Sequence, residues 1–159
     1  MPSSRKTKYD KLVALERKIG EGFARIDQPF FQYLAKLYST AGRGEDSFEE
    51  LRKRDPGVTR SQIAGGMEQG MRDLKTMLPA QDPSIRSEVM AIFRDAVQSE
   101  YPDLFEKDKQ RLEKVLARGR IRSENEWYLL QFRLDEIEGY PEFEEETTKI
   151  WGIMDSYEG

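Results

Sequence analysis

The sharpest candidates for binding chemistry in this sequence are five basic residues: Arg111, Lys114, Arg118, Arg120 and Arg122. Arginine presents a fork of N–H donors that matches phosphate and carboxylate groups, so the cluster would bind phosphates or an acidic partner. The alternative is structural, because cations suit a helix C-terminus and Glu124 and Glu126 follow at the next helix start. Exposed charges are usually solvated and weakly coupled.

Two tryptophans, Trp127 and Trp151, are candidate interface anchors. A tryptophan at heptad-like spacing is more often a core residue, which is the interpretation we favour for Trp127. Trp151 follows Ile150 but lies off the apolar seam, so we expect it to be the more exposed. We therefore add Trp151 to the five basic residues as a predicted partner-binding residue.

Catalysis and metal binding are not favoured by the composition. The chain has no cysteine and no histidine, which removes thiol nucleophiles, the commonest general base and the commonest transition-metal ligand. The consecutive acidic residues Glu144, Glu145 and Glu146 point around a helix and cannot converge on one ion. We predict a non-enzyme with no catalytic residue, metal or cofactor, while Asp, Glu, Lys, Tyr or Ser chemistry stays open.

Charge is unevenly distributed along the chain. The net charge is −4 overall, but residues 1–30 hold seven basic and four acidic residues, whereas residues 124–159 hold two basic and eleven acidic residues. The acidic C-terminus would repel phosphate. Nucleic-acid binding, through residues 59–74 or the basic N-terminal arm, is thus an alternative and not the favoured function, because residues 59–74 carry no local excess of positive charge.

Helix signals predict the elements that position these residues. Gly119 suits the left-handed C′ position after a helix carrying Val115, and Ser123 with Glu126 forms a capping box for the next helix. Phe143, Thr147, Ile150, Met154 and Tyr157 form the apolar seam of a last helix, which should pack antiparallel to the one before it. The fold class is all-α, a multi-helix bundle of about six to eight helices.

Further helices are predicted in the first half of the chain. Leu12, Leu15, Ile19, Phe23 and Ile26 follow helical spacing, with a break or bend expected at Gly20 and Gly22. Asp27 should cap a second helix whose inner face is Phe30, Leu34 and Leu37. Gly66 and Gly70, four residues apart, are expected to allow close internal packing.

Residues 1–8 are predicted to be a disordered leader and residues 9–159 a single helical domain, with a candidate subdomain boundary near 79–83. No run of about 18 apolar residues and no apolar signal region are present, so we expect a cytoplasmic location.

Residues 120–158 resemble the N-terminal helical segment of higA-type antitoxins. The shared residues are Ile121, Arg122, Ser123, Glu124, Glu126, Trp127, Tyr128, Leu134, Asp135, Ile137, Ile150, Ile153, Tyr157 and Glu158. In that family a DNA-binding helix-turn-helix follows the segment, whereas the present sequence stops at Gly159. The resemblance implies the protein-binding half of such a regulator.

The sequence therefore predicts a non-catalytic helical protein–protein interaction module with an unidentified protein partner, regulatory or antitoxin-like in role. A homo-oligomer stays open as an alternative.

Overall fold

The computed structural model describes residues 6–158, and every regular element among them is helical. The predicted all-α, multi-helix fold is confirmed. The eight α-helices are α1 (Lys8–Phe23), α2 (Pro29–Ser39), α3 (Phe48–Arg54), α4 (Arg60–Met77), α5 (Pro83–Glu100), α6 (Glu106–Arg118), α7 (Glu124–Ile137) and α8 (Glu144–Glu158). Short 3-10 turns lie at 44–46, 78–80 and 141–143.

The chain divides into two units, one ending at Pro102 and the other beginning at Asp103. The connector near 79–83, where a subdomain boundary was a candidate, lies inside the first unit as a 3-10 turn that contacts α4 and α5. Part of the predicted leader, residues 1–5, lies outside the described residues. Residues 7 and 8 belong to the first helix and its cap, because α1 begins at Lys8 and Thr7 forms a complete capping box with Asp10.

Helix α1 is the centre of the first unit and packs against α2, α4 and α5. Its predicted apolar face is confirmed, because Leu12, Leu15, Ile19 and Phe23 are fully buried. The expected break at Gly20 and Gly22 is wrong, since α1 continues to Phe23.

These two glycines are the points where neighbouring helices approach α1. A Cβ on Gly20 would lie 3.2 Å from the carbonyl oxygen of Ala35, and one on Gly22 would lie 2.3 Å from Cγ2 of Ile92. The close packing expected at Gly66 and Gly70 is not found, because no atom lies within 4 Å of either Cβ position. The glycines needed for packing therefore lie in α1, and those of α4 face open space.

Helix α2 also differs from its predicted orientation. Phe31, Leu34 and Ala35 form its buried face, whereas Phe30 and Leu37 are exposed. The backbone of α2 approaches α1 closely on this side, because the carbonyl oxygen of Ala35 lies 3.2 Å from the position of a Cβ on Gly20. The N-cap is Gln28 and not Asp27, since the Gln28 side chain accepts a hydrogen bond from the N–H of Phe31 (3.1 Å).

Helices α6, α7 and α8 form the second unit around their own apolar core. Its buried residues are Val115, Ile121, Leu130, Leu134, Ile137, Ile150, Ile153 and Met154. Gly119 has a φ of 79°, which confirms the predicted left-handed end of α6. Helices α7 and α8 pack against each other, but Tyr157, predicted to lie in the seam, is 45% exposed, and Ile153 is buried instead.

Candidate functional site

The predicted basic cluster is partly structural. Both terminal nitrogens of Arg118 donate to the carboxylate of Glu126, at 2.7 and 3.0 Å, and one also donates to the carbonyl oxygen of Arg120 (3.0 Å). The backbone N–H of Arg122 donates to the same carboxylate (2.8 Å). These bonds fix the turn between α6 and α7, and those from Arg118 and Arg122 lower the pKa of Glu126 to about 2.

The other predicted site residues are not gathered into this turn network. Arg111 and Lys114 lie on the exposed surface of α6, at positions seven and four residues before Arg118, and so share a helix face with it. Trp151 lies on α8 and is 43% exposed, as expected. The structure thus brings together Arg118, Arg120 and Arg122 by hydrogen bonds, and it leaves Arg111, Lys114 and Trp151 as surface residues.

The region considered for nucleic-acid binding uses its cations internally. Lys8 and Arg72 both form ion pairs with Glu68, and the guanidinium of Arg60 lies 4.2 Å from the ring centroid of Phe48. These contacts connect α1, α3 and α4. Because Arg60 and Arg72 make these contacts within the protein, residues 59–74 have fewer cations available to bind phosphate.

Helix α2 carries an exposed apolar stripe that was not predicted from the sequence. Phe30, Tyr33 and Leu37 are 39%, 58% and 49% exposed. Their spacing of three and four residues places them on one helix face. The sequence of α2 carries apolar residues on two faces. Only one of these faces is needed to pack α2 against α1, so the other indicates an exposed apolar surface.

Leu37 also lines a cleft of about 150 Å³ in the first unit. The cleft opens between α1, α2, α3, α4 and the 41–46 segment. The residues that line it are Tyr9, Glu16, Leu37, Ala41, Gly42, Asp46, Leu51, Ile63 and Met67. Its wall is mostly apolar, and its acidic groups are the half-buried Glu16 and the exposed Asp46.

The carboxyl group of Glu16 is electrostatically unusual. Burial raises its pKa to about 7, and the nearby charge of Asp46 adds to this shift. Burial, with a contribution from Glu16, raises the pKa of Tyr38 to about 12. No cation among the described residues pairs with Glu16, because the neighbouring Arg17 donates its Nε–H to the carbonyl oxygen of Ala41 (2.8 Å).

The segment that closes one side of the cleft is held by specific contacts. The hydroxyl of Thr40 donates to Asp46 (2.6 Å), and the bond from Arg17 fixes Ala41. Gly42 has a φ of 69°, and a Cβ there would lie 3.0 Å from Val13. A glycine at this position therefore lets the segment turn close to α1.

Comparison of the chain with protein families, with curated proteins and with solved structures gives no match. The resemblance to higA-type antitoxins stays a prediction. Within residues 6–158, no group of three or more acidic side chains is arranged to hold a metal ion. No helix in that range combines the length and apolarity needed to cross a bilayer.

Proposed function

We propose that the protein is a non-catalytic interaction module whose first unit binds an amphipathic helix of another protein. The observation that carries this proposal is the exposed stripe of Phe30, Tyr33 and Leu37 on α2. Helices that dock on one another through apolar side chains use this spacing. A regulatory role and a cytoplasmic location, both expected from the sequence, belong to the same proposal.

The stripe is not required for folding of α2. Phe31, Leu34 and Ala35 already bury a different face of the helix against α1. Aromatic side chains are enriched at interface hot spots because they bury a large area with few rotatable bonds. Full burial of a large apolar side chain stabilises by about 1.5–3 kcal/mol, so the three residues together offset part of the cost of association.

The charges near the stripe favour a partner of different sequence over a second copy. Leu37 connects the stripe to the cleft that contains Glu16 and Asp46. A two-fold dimer through this face would place both acidic pairs in one interface, where like charges repel. A partner helix with a basic residue beside its apolar stripe complements the same surface.

The basic residues of the second unit are a separate candidate contact, for an acidic protein surface. Arg111 and Lys114 are exposed on α6, and Trp151 is exposed on α8. Arg118 contributes less, because Glu126 already neutralises it.

Site-specific photocross-linking tests the proposal. A photoreactive phenylalanine derivative replaces Tyr33 in one variant and Tyr128 in the other, which is a matched control because Tyr128 is 57% exposed in the second unit. We expect the variant at position 33 to cross-link one protein partner in cells, and the variant at 128 not to do so. Equal products from both positions, or cross-links only between copies of this chain, would contradict the proposal.

A further inference from the structure

The cleft beside α2 has the dimensions and the lining of a small binding site. Its volume of about 150 Å³ is close to that of an apolar protein cavity that binds benzene. Leu37, Leu51, Ile63 and Met67 supply an apolar wall. A ligand for this space therefore has a short hydrocarbon portion.

The two carboxyl groups in the cleft indicate which polar group the ligand carries. Glu16 lies half-buried on α1, and Asp46 faces the same space from the 41–46 segment. Neither carboxyl group has a cationic partner among the described residues; Asp46 accepts a hydrogen bond from Thr40, and Arg17 is directed to a backbone carbonyl. A cation that donates hydrogen bonds would compensate for the burial of Glu16.

We infer that this cleft binds an ammonium group carried on a short aliphatic chain, with Glu16 as the anion that pairs with it. The lysine side chain of a partner helix and a free alkylamine share this chemistry. The first source rests on the proposed function, because a partner helix seated on Phe30, Tyr33 and Leu37 would place a lysine at the cleft. The second source does not depend on it.

The groups around Glu16 predict how binding depends on pH. Burial and the charge of Asp46 disfavour its charged form; Tyr9 lies in the same cleft, Tyr38 is close enough for Glu16 to raise its pKa, and α3 and α4 contribute the apolar Leu51, Ile63 and Met67. The pKa of Glu16, raised to about 7, means that the free site is partly protonated near neutrality. An ammonium ligand must displace that proton, so affinity should rise from pH 6 to pH 8.

The first arm of the test is a titration of the full chain with butylammonium chloride, which has the composition of a lysine side chain beyond Cα. Methyl NMR signals of Ile63 and Met67 report binding, with sodium chloride at equal ionic strength as the reference. We expect saturable shifts in the wild type. Glu16→Gln should weaken binding about tenfold or more, as loss of a charge-assisted hydrogen bond does.

Glu45→Gln is the matched control, because Glu45 is exposed one residue from Asp46 and does not line the cleft. This variant should bind butylammonium like the wild type. Absence of saturation, equal binding by Glu16→Gln, or equal loss in Glu45→Gln would each overturn the inference.

The second arm separates the two sources. An amphipathic helical peptide with one lysine beside its apolar stripe is compared with the same peptide carrying norleucine. Tighter binding of the lysine peptide than of butylammonium, lost with norleucine and with Glu16→Gln, identifies a partner's lysine as the ligand. Glu16-dependent binding of butylammonium with no preference for the lysine peptide identifies a free amine and leaves the site intact while contradicting the proposed helix partner. Failure of both ligands overturns the site itself.

Discussion

Replacing Gly22 by alanine should destabilise the first unit, whereas the same change at Gly66 should stabilise it. The new Cβ at position 22 would lie 2.3 Å from Cγ2 of Ile92, against about 3.5–4.0 Å for ordinary carbon contacts. Cβ of Ile92 lies only 3.3 Å away, and a β-branched side chain has few alternative rotamers, so rotation alone does not relieve the contact. Overpacking of this kind costs about 1–3 kcal/mol.

At Gly66 the added methyl group meets no atom within 4 Å, so only the gain in helix propensity remains, about 1 kcal/mol. The same gain offsets part of the cost at Gly22, which lies in the last turn of α1. The difference between the two variants therefore approximates the overpacking term alone.

Thermal unfolding followed by far-UV circular dichroism measures this difference. For a unit of about 100 residues, 1 kcal/mol corresponds to a shift in Tm of roughly 4–8 °C. We expect Gly66→Ala to raise the Tm by roughly 4–8 °C. The Tm of Gly22→Ala should lie below that of Gly66→Ala by at least the same amount. Equal stabilisation by both substitutions would refute the close approach of α5 to α1.

The pKa of Glu16, raised from 4.5 to about 7, means that the folded state binds more protons than the unfolded state in this interval; the contribution of Glu16 to stability should be fully present below pH 4.5 and fall by roughly 3 kcal/mol as the pH rises to 7. Urea titrations across pH should show that Glu16→Gln removes this fall, and an unchanged profile would mean that Glu16 is solvated. Glu126, whose pKa is lowered to about 2 chiefly by Arg118, has the opposite sign: it stabilises above pH 4.5, and this contribution is lost as the pH falls towards 2. Glu126→Gln should therefore be less stable than wild type at pH 7 and equal to it near pH 2; a deficit of the same size at both pH values would argue against the ion pair. Gly119→Val should cost about 1–2 kcal/mol, because a β-branched residue is strained at a φ of 79°, and unchanged thermal stability would show that α6 ends elsewhere.

Local sequence signals predicted the end of α6 and the start of α7 correctly, because each depends on residues a few positions apart. Ser123 caps α7 as predicted, because its hydroxyl oxygen accepts a hydrogen bond from the N–H of Glu126 (3.3 Å). Gly119 takes the left-handed conformation that its position indicated. Such contacts form within one turn of chain, so the surrounding fold seldom changes them.

The orientation of α2 depends on long-range packing that periodicity does not specify. Both the face with Phe30 and Leu37 and the face with Phe31 and Leu34 are apolar in the sequence. The inward face is the one whose backbone meets Gly20, where the carbonyl oxygen of Ala35 lies 3.2 Å from the Cβ position, and these two residues are 15 positions apart. The same limitation led to the wrong assignment of the packing glycines.

The candidate site was less predictable than the fold. The cleft draws its lining from several elements, and Glu16 differs from other glutamates only through the groups that surround it. The basic cluster was visible in the sequence, but the ion pair between Arg118 and Glu126 was not. The capping pattern predicted that Glu126 would interact with Ser123 instead. Burial and pairing of a charge depend on tertiary contacts.

The most direct test of the central claim is the affinity of the partner segment cross-linked at position 33, synthesised as a peptide and titrated calorimetrically into purified variants. We expect Tyr33→Ala to weaken binding about tenfold or more, the usual effect at an interface hot spot. Tyr128→Ala, equally exposed in the second unit, should leave the affinity unchanged. Equal affinities for wild type and Tyr33→Ala would show that the exposed face of α2 is not the binding surface.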